Sequence, residues 1–483
     1  MRKHKVGIII GSLLGAIALG ITSFFGVQYF TGSGIFHQPG VVVLAENLST
    51  QQQEFLAPIL DNFPELDRNV TISSKTSQTL ETDNNQLLYD ILVPITDFYD
   101  PISNISSAEI NNYTLIPVLE LTSQQKLLAL DDIYYLDSFK AGAVFEYLVI
   151  EGESPDVVKI TAIIQEKLPI FPSAENVLTF AQTGVTALSR GMNAKLAQVG
   201  DATYFAENIG PFLSQFDLAH TSNESSFSAL ADDRNICSKP QMIDTLTAIG
   251  LDIVELTGNH NQDCGDQAAL DTLATYAELG IQTVGGGATA ELAAVPLQID
   301  QKDNHITFLA YNISTGGYTL DATPGANFYT TEKARTDITA AKERGDIVIV
   351  DIQYFECNNY DNAADLRTCD YANSSAGNQI DLFREVIDLG ADIVVGTAAH
   401  QPQTYELYND GAIYYGLGNL FFDQIWWPGT TRSLILVHYF FNNQLIQTRI
   451  IPTIYDETMQ TKLMESDAAA AFIERLNGAR PEA

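Results

Sequence analysis

From Val177 onward the chain alternates short apolar runs with helical stretches that end in glycine, and few architectures accept that rhythm. The strand candidates are "VLTFAQTG", "LDIVELTG", "IQTVGGG", "HITFLAYN", "GDIVIVDIQYF", "ADIVVGTAAH" and "AIYYGLGNLFF". Between them lie "QMIDTLTAIG", "DQAALDTLATYAELG" and "GNQIDLFREVIDLG", each closed by the residue best suited to a helix C-terminus. Such alternation implies βαβ units, hence layered, mostly parallel sheets flanked by helices. Ligands of such sheets gather where strands end and loops begin.

Upstream, "VVVLAE" reads as a strand and "STQQQEFLAPILDNF" as an amphipathic helix with a Ser/Thr start. "LPIFPSAENV", Leu168 to Val177, carries two prolines and marks a domain boundary. Residues 31–170 are thus expected to form a small α/β domain. Its strand-helix order, around "ILVPITDFYDPISNIS", bears a faint resemblance to extracellular solute-binding domains. Residues 175–455 form the larger domain, and "ESDAAAAFIERLNGA" predicts a helix in a C-terminal tail, 456–483.

The amino terminus carries a different signal. "MRKHK" is a basic flank, and no charge follows from Val6 to Phe30. That apolar run is long enough to cross a bilayer, which takes ~20 residues. We read residues 1–30 as an uncleaved single-pass anchor with the bulk of the chain outside the cytoplasm; a cleaved signal peptide is the alternative. The 60 acidic against 25 basic residues give a formal net charge of -35, which repels phosphate backbones and excludes nucleic acid as a partner. Four cysteines suit an oxidising exterior. Cys357 and Cys369 bracket a polar stretch that a disulfide could close, with Cys237 and Cys264 as the remaining pair.

Polar residues concentrate at the expected strand ends. "HTSNESSFS" offers His220, Asn223 and Glu224; "TGNHNQDCG" offers Asn259, His260 and Asp263. "DIQYFECNNY" offers Gln353 and Glu356, and "GTAAHQPQ" offers His400 and Gln403. Oxygen and imidazole groups arriving from several strand ends are what a metal-assisted phosphoester site requires. One such residue alone is usually a turn former, but four clusters in successive loops point to a shared site. Trp426 and Trp427 are candidates for its lip, while Phe421 and Phe422 read as core. "GGG", Gly285 to Gly287, reads as a tight turn before it reads as an anion cradle.

The stretches "TGVTALSRG", "FDLAHTSNESSF", "IGLDIVELTGNHNQDCGDQAALDTLATYAELGIQTVGGG", "VIVDIQYFE" and "LGADIVVGTAAHQPQTYELYNDGAIYYGLGNLFFDQ" resemble, in order and spacing, the CapA family of poly-gamma-glutamate capsule synthesis proteins. The resemblance implies a metallophosphatase-like domain with a calcineurin-like phosphoesterase fold. It also implies roles: Glu224, Asn259, Gln353 and His400 around a metal or polar substrate group, and His260 as acid or oxyanion stabiliser. Arg190 would meet an anionic substrate group, and Asn223, Glu356 and Gln403 would contact substrate. The departures are as informative. Val185 stands where the family places a metal-binding Asp, Gln353 where it places a His, and only His400 remains of its histidine-rich motif. The implied two-ion centre is therefore depleted, to one divalent ion at most. Two readings stay open. One is an anchored, extracytoplasmic protein that works with membrane capsule-assembly partners in the synthesis, export or attachment of a capsular polymer, as a hydrolase or transferase. The other is a non-catalytic, polymer-binding surface scaffold on a decayed phosphoesterase fold.

Overall fold

The computed structural model describes residues 25–27, 41–60, 66, 69–313, 316–317, 323–355, 362, 365–368 and 378–481. Glu356, Cys357 and Cys369 lie outside them. So does the expected membrane helix, apart from Phe25–Val27, which form a short strand antiparallel to Val42–Leu44. Among the described residues no helix is long and apolar enough to cross a membrane.

The chain divides into two compact units, the first covering residues 1–96, 104–121 and 127–173 and the second the remainder. In the first, the sheet runs in the order Phe25–Val27, Val42–Leu44, Val70–Thr79, Ala141–Gly152, Gln86–Asp97, Thr114–Pro117. Its long central strands pair antiparallel, so the unit is more hairpin-like than the expected strand-helix alternation. Helix Thr50–Leu60 opens with a reciprocal cap: Gln52 N–H donates to Ser49 Oγ at 3.1 Å and Ser49 N–H to Gln52 Oε1 at 2.9 Å. Its Leu56, Ile59 and Leu60 pack with Ile72, Leu148, Ile160 and Ile164.

In chain order the main strands of the second unit are β1 (Leu178–Thr186), β2 (Leu218–Asn223), β3 (Ile253–Glu255), β4 (Gln282–Val284), β5 (Leu297–Gln301), β6 (Asn304–Asn312) and β7 (Ile347–Gln353). They continue with β8 (Ile393–Thr397), β9 (Tyr405–Tyr408), β10 (Gly411–Tyr414), β11 (Asn419–Phe421), β12 (Arg432–Phe441) and β13 (Gln444–Ile454). One sheet has the order β4-β3-β2-β1-β12-β13, with β11 beside the end of β1; the other is β5-β6-β7-β8-β10-β9. The first is parallel from β4 to β1 and antiparallel from β1 through β12 to β13, whereas the second is parallel at its centre and antiparallel at both edges.

Strand periodicity explains the layering. Phe308 and Ala310 of β6 and Ile347 and Ile349 of β7 face the first sheet, meeting Phe180, Leu218, Ile253 and Leu436. The residues between them, Leu309, Tyr311, Val348 and Val350, face outward onto α1 (Thr331–Glu343) and α2 (Gln379–Asp388) through Ala334, Ile338, Leu382 and Phe383. The result is a two-sheet sandwich clad in helices. The C-terminal helix Ser466–Gly478 belongs to this core: Phe472, Ile473 and Leu476 pack between the sheets' apolar residues.

Candidate functional site

The strand ends converge as the alternation requires. Glu224 follows β2, Asn259 follows β3, Gln353 closes β7, and His400 lies just beyond β8. Gln353 Nε2 donates to Glu224 Oε1 at 3.1 Å and to Asn259 Oδ1 at 3.2 Å, while its own Oε1 accepts from the Thr397 hydroxyl at 3.0 Å. These partners fix which end of the amide is nitrogen, because the reverse would set an oxygen against two acceptors. Glu224 Oε2 lies 4.0 Å from His400 Nε2, and both side chains are almost fully buried.

His400 is held by a second set of contacts. Asn419, on β11, offers Oδ1 to His400 Nδ1 at 2.9 Å. The Asn419 amide nitrogen donates to Gln424 Oε1, Thr430 O and the Tyr455 hydroxyl, so its oxygen is the end that faces the imidazole. The proton therefore sits on Nδ1, and Nε2 is turned toward Glu224. The His400 ring also lies 5.2 Å from that of Phe422, over which the Arg190 guanidinium sits at 4.6 Å. Arg190 Nη2 donates to Asp423 Oδ1 at 2.6 Å, and Asp423 Oδ2 accepts from Gly191 N–H.

Backbone strain collects here. Arg190 has φ +48° and Ala398 φ +76°, both in a region side-chain-bearing residues avoid, and they flank the pocket from β1 and β8. Close approach adds a constraint, since a Cβ on Gly258 would stand 2.7 Å from Glu224 Cα. The loop that carries Asn259 is clamped by a Cys237–Cys264 disulfide.

The sequence-derived candidates sort plainly. Glu224, Asn259, Gln353 and His400 come together, and Arg190 joins them through Phe422 and Asp423. His260 pairs within its own loop, its Nδ1 2.8 Å from Asp263 Oδ2. Asn223 points elsewhere: its amide donates to Ser225 O and the Tyr276 hydroxyl inside the helix layer. Gln403 is buried between Gln379 and the Arg367 carbonyl. Trp426 is 59% exposed, beside Trp427 at 5.6 Å. Phe422, expected as core, is buried yet serves as the ring between Arg190 and His400. Asn419 and Thr397 are not legible in the sequence, because nothing local marks a strand Asn or Thr as a support for a His or Gln from another loop.

The fit to the implied metal centre follows from these contacts. Val185 is buried and apolar, and Gln353 turns N–H groups, not its carbonyl oxygen, to the two oxygens beside it. Gln353, which the resemblance implied around a metal or polar substrate group, donates in this structure to Glu224 and Asn259. The residues present do not fit a two-ion centre.

Residues 179–424 match the family described as "Bacterial capsule synthesis protein PGA_cap", a span that takes in all of this pocket except Tyr455 and Thr430. The chain belongs to that family. Among PGA_cap relatives, the "Capsule biosynthesis protein CapA" of Bacillus anthracis is 22% identical over 337 residues, 66% of this chain and 77% of that protein. The "PGA biosynthesis protein CapA" of Bacillus subtilis (strain 168) is 30% identical over 203 residues, 41% of this chain and 49% of that one. A "Probable polyglutamine synthesis accessory protein" of Mycobacterium tuberculosis is 26% identical over 206 residues, 39% and 50% of the two chains. This PGA_cap chain thus spans about half the length of the latter two. Among solved structures, a Haemophilus influenzae NAD nucleotidase is similar at TM-score 0.33 and 9% identity, covering 62% of this chain and 55% of that one, too slight a likeness to bear on the site.

Proposed function

We propose that this capsule synthesis family member is a membrane-anchored, extracytoplasmic protein whose strand-end pocket binds an anionic, amide-linked polymer of the poly-gamma-glutamate type. The observation that carries the reading is the Gln353 bridge between Glu224 and Asn259. Groups arranged to satisfy one another by hydrogen bonding recognise amides and hydroxyls, whereas a metal site needs converging lone pairs. A polymer amide N–H would meet Glu224 Oε2, and a pendant carboxylate would meet Arg190, which Asp423 and the Phe422 face hold in place. The anchor is the uncharged run from Val6 to Phe30 behind a basic flank. Capsule-assembly proteins in the same membrane are the expected partners.

A second reading has its own observation. His400 is fixed as one tautomer by Asn419, with Nε2 4.0 Å from a buried carboxylate, an arrangement suited to moving a proton at an amide or ester without a metal. His400→Ala and Glu224→Gln in the full chain separate the two, with retained polymer and polymer chain length as readouts. Loss of retention with chain length unchanged supports binding. Retention kept with longer chains supports hydrolysis, and wild-type behaviour of both variants discards the pocket.

A further inference from the structure

Two residues beyond Asn259, the same loop lines a second cavity through Asn261. Its walls are mainly apolar: Leu256 after β3, Ala269 and Leu273 on the helix Asp266–Glu278, and Pro324. The "GGG" run closes one side, where Gly286 and Gly287 pair antiparallel with Gly325 and Ala326. Gly286 lies so near Leu256 that a Cβ on it would stand 2.5 Å from Leu256 Cβ, which fixes that wall. Leu273 and Gly286, the partly exposed members of the lining, mark the mouth. The space is about 270 Å³ with the open mouth included, below the ~300–1,000 Å³ of pockets that hold drug-sized ligands.

One polar atom in this lining is unspent. Asn261 is 6% exposed, and its Oδ1 is buried with no hydrogen-bond partner. Its Nδ2 donates to Leu256 O at 3.1 Å, so the amide cannot be turned over without setting oxygen against oxygen. The neighbouring donors are committed elsewhere. The Ser226 hydroxyl donates to Asn261 O, and the Thr272 hydroxyl to Ala268 O at 2.7 Å while it accepts from Phe227 N–H at 2.8 Å. The Cys237–Cys264 disulfide holds the loop, so the free oxygen is set in place before any ligand arrives.

We propose that this cavity is a second ligand site, for a neutral hydroxyl carried on a short aliphatic stem. The hydroxyl donates to Asn261 Oδ1 while the stem lies against Leu256, Ala269 and Leu273. The chemistry of the lining excludes the other classes. A carboxylate would meet a lone pair with no side-chain donor beside it, so the pendant acids of the polymer do not enter. An ammonium would bury a full charge against one neutral acceptor. A primary amide would bring in a carbonyl with nothing to pair it, and a hydrocarbon would leave Oδ1 unpaired. The site is independent of the strand-end pocket, and its ligand need not be the polymer.

Binding to the full chain in detergent is measured by ligand-observed NMR for isopropanol and for acetone, which has nearly the same size but no donor. Isopropanol is expected to bind about tenfold more tightly, the worth of one hydrogen bond to an acceptor otherwise left unpaired. Asn261→Leu, which removes the acceptor, is expected to erase that difference. Leu273→Trp, which fills the mouth from a partly exposed helix position, is expected to abolish isopropanol binding with the circular dichroism of the fold unchanged. N-acetylthreonine methylamide, set against its valine counterpart, distinguishes the sources of the hydroxyl. If the threonine compound binds more tightly than isopropanol, the group belongs to a peptide side chain; if more weakly, to a free alcohol. Equal binding of isopropanol and acetone to the wild type, which needs no variant, overturns the proposal. So does isopropanol binding that Leu273→Trp leaves unchanged, and so does a lack of binding by all four compounds, which leaves Asn261 Oδ1 to water.

Discussion

At the scale of single residues, the pocket depends on atoms that leave no room for alternatives. Gly258 is the sharpest case, because any side chain there meets the Glu224 backbone at 2.7 Å. Gly258→Ala is expected to cost about 1–3 kcal/mol, the usual penalty of forcing extra volume into packed surroundings, and to lower polymer retention by moving Glu224. Denaturant unfolding and the retention assay check the two halves. The residues themselves were legible to different degrees. Glu224, Asn259 and His400 could be named from strand-end motifs, because polar groups that follow apolar runs mark the loops where parallel sheets hold their ligands. Asn223 sits in the same motif and still turns into the helix layer, since adjacent residues of a strand face opposite sides.

At the scale of elements, alternating apolar runs and glycine-ended helices located most of the second unit's strands before any pairing was known. The β12–β13 hairpin was not among them. Its signal lies in "FFNNQ", where Asn442 and Asn443 both adopt positive φ, the pairing of residues a tight two-residue hairpin turn demands. The loop between β3 and the helix Asp266–Glu278 is held by Cys237–Cys264, which bridges residues 27 apart in sequence. Replacing both cysteines by Ser is expected to remove ~3–4 kcal/mol of stability, from the chain entropy that a closed loop of this size denies the unfolded state. Unfolding of the wild type with and without reductant checks the magnitude. An unchanged midpoint in both comparisons would show the loop to be held without it.

For the whole molecule, net charge governs how the surface meets a polymer. A chain with a formal net charge of -35 repels an anionic polymer everywhere except at local spots such as Arg190. Raising salt from 10 to 150 mM shortens the screening length from ~30 to ~8 Å, so long-range repulsion fades while the buried contacts persist. Retention of poly-gamma-glutamate is expected to rise by about tenfold over that interval, as read by equilibrium binding. Weaker retention at higher salt would mean that exposed basic contacts, not the buried pocket, carry the binding.

What the sequence by itself determined was the membership of the family, the layered sheets and the positions at which loops leave strands. Those depend on periodicity and turn chemistry among residues a few places apart. Only the tertiary structure decided which side chains meet: Gln353 and Glu224 are 129 residues apart, and Arg190 and Asp423 are 233 apart. It also decided that the Gln353 amide presents nitrogen to its neighbours. Such choices follow from strand order and from the facing of two sheets, which long-range burial fixes and no short stretch of chain encodes.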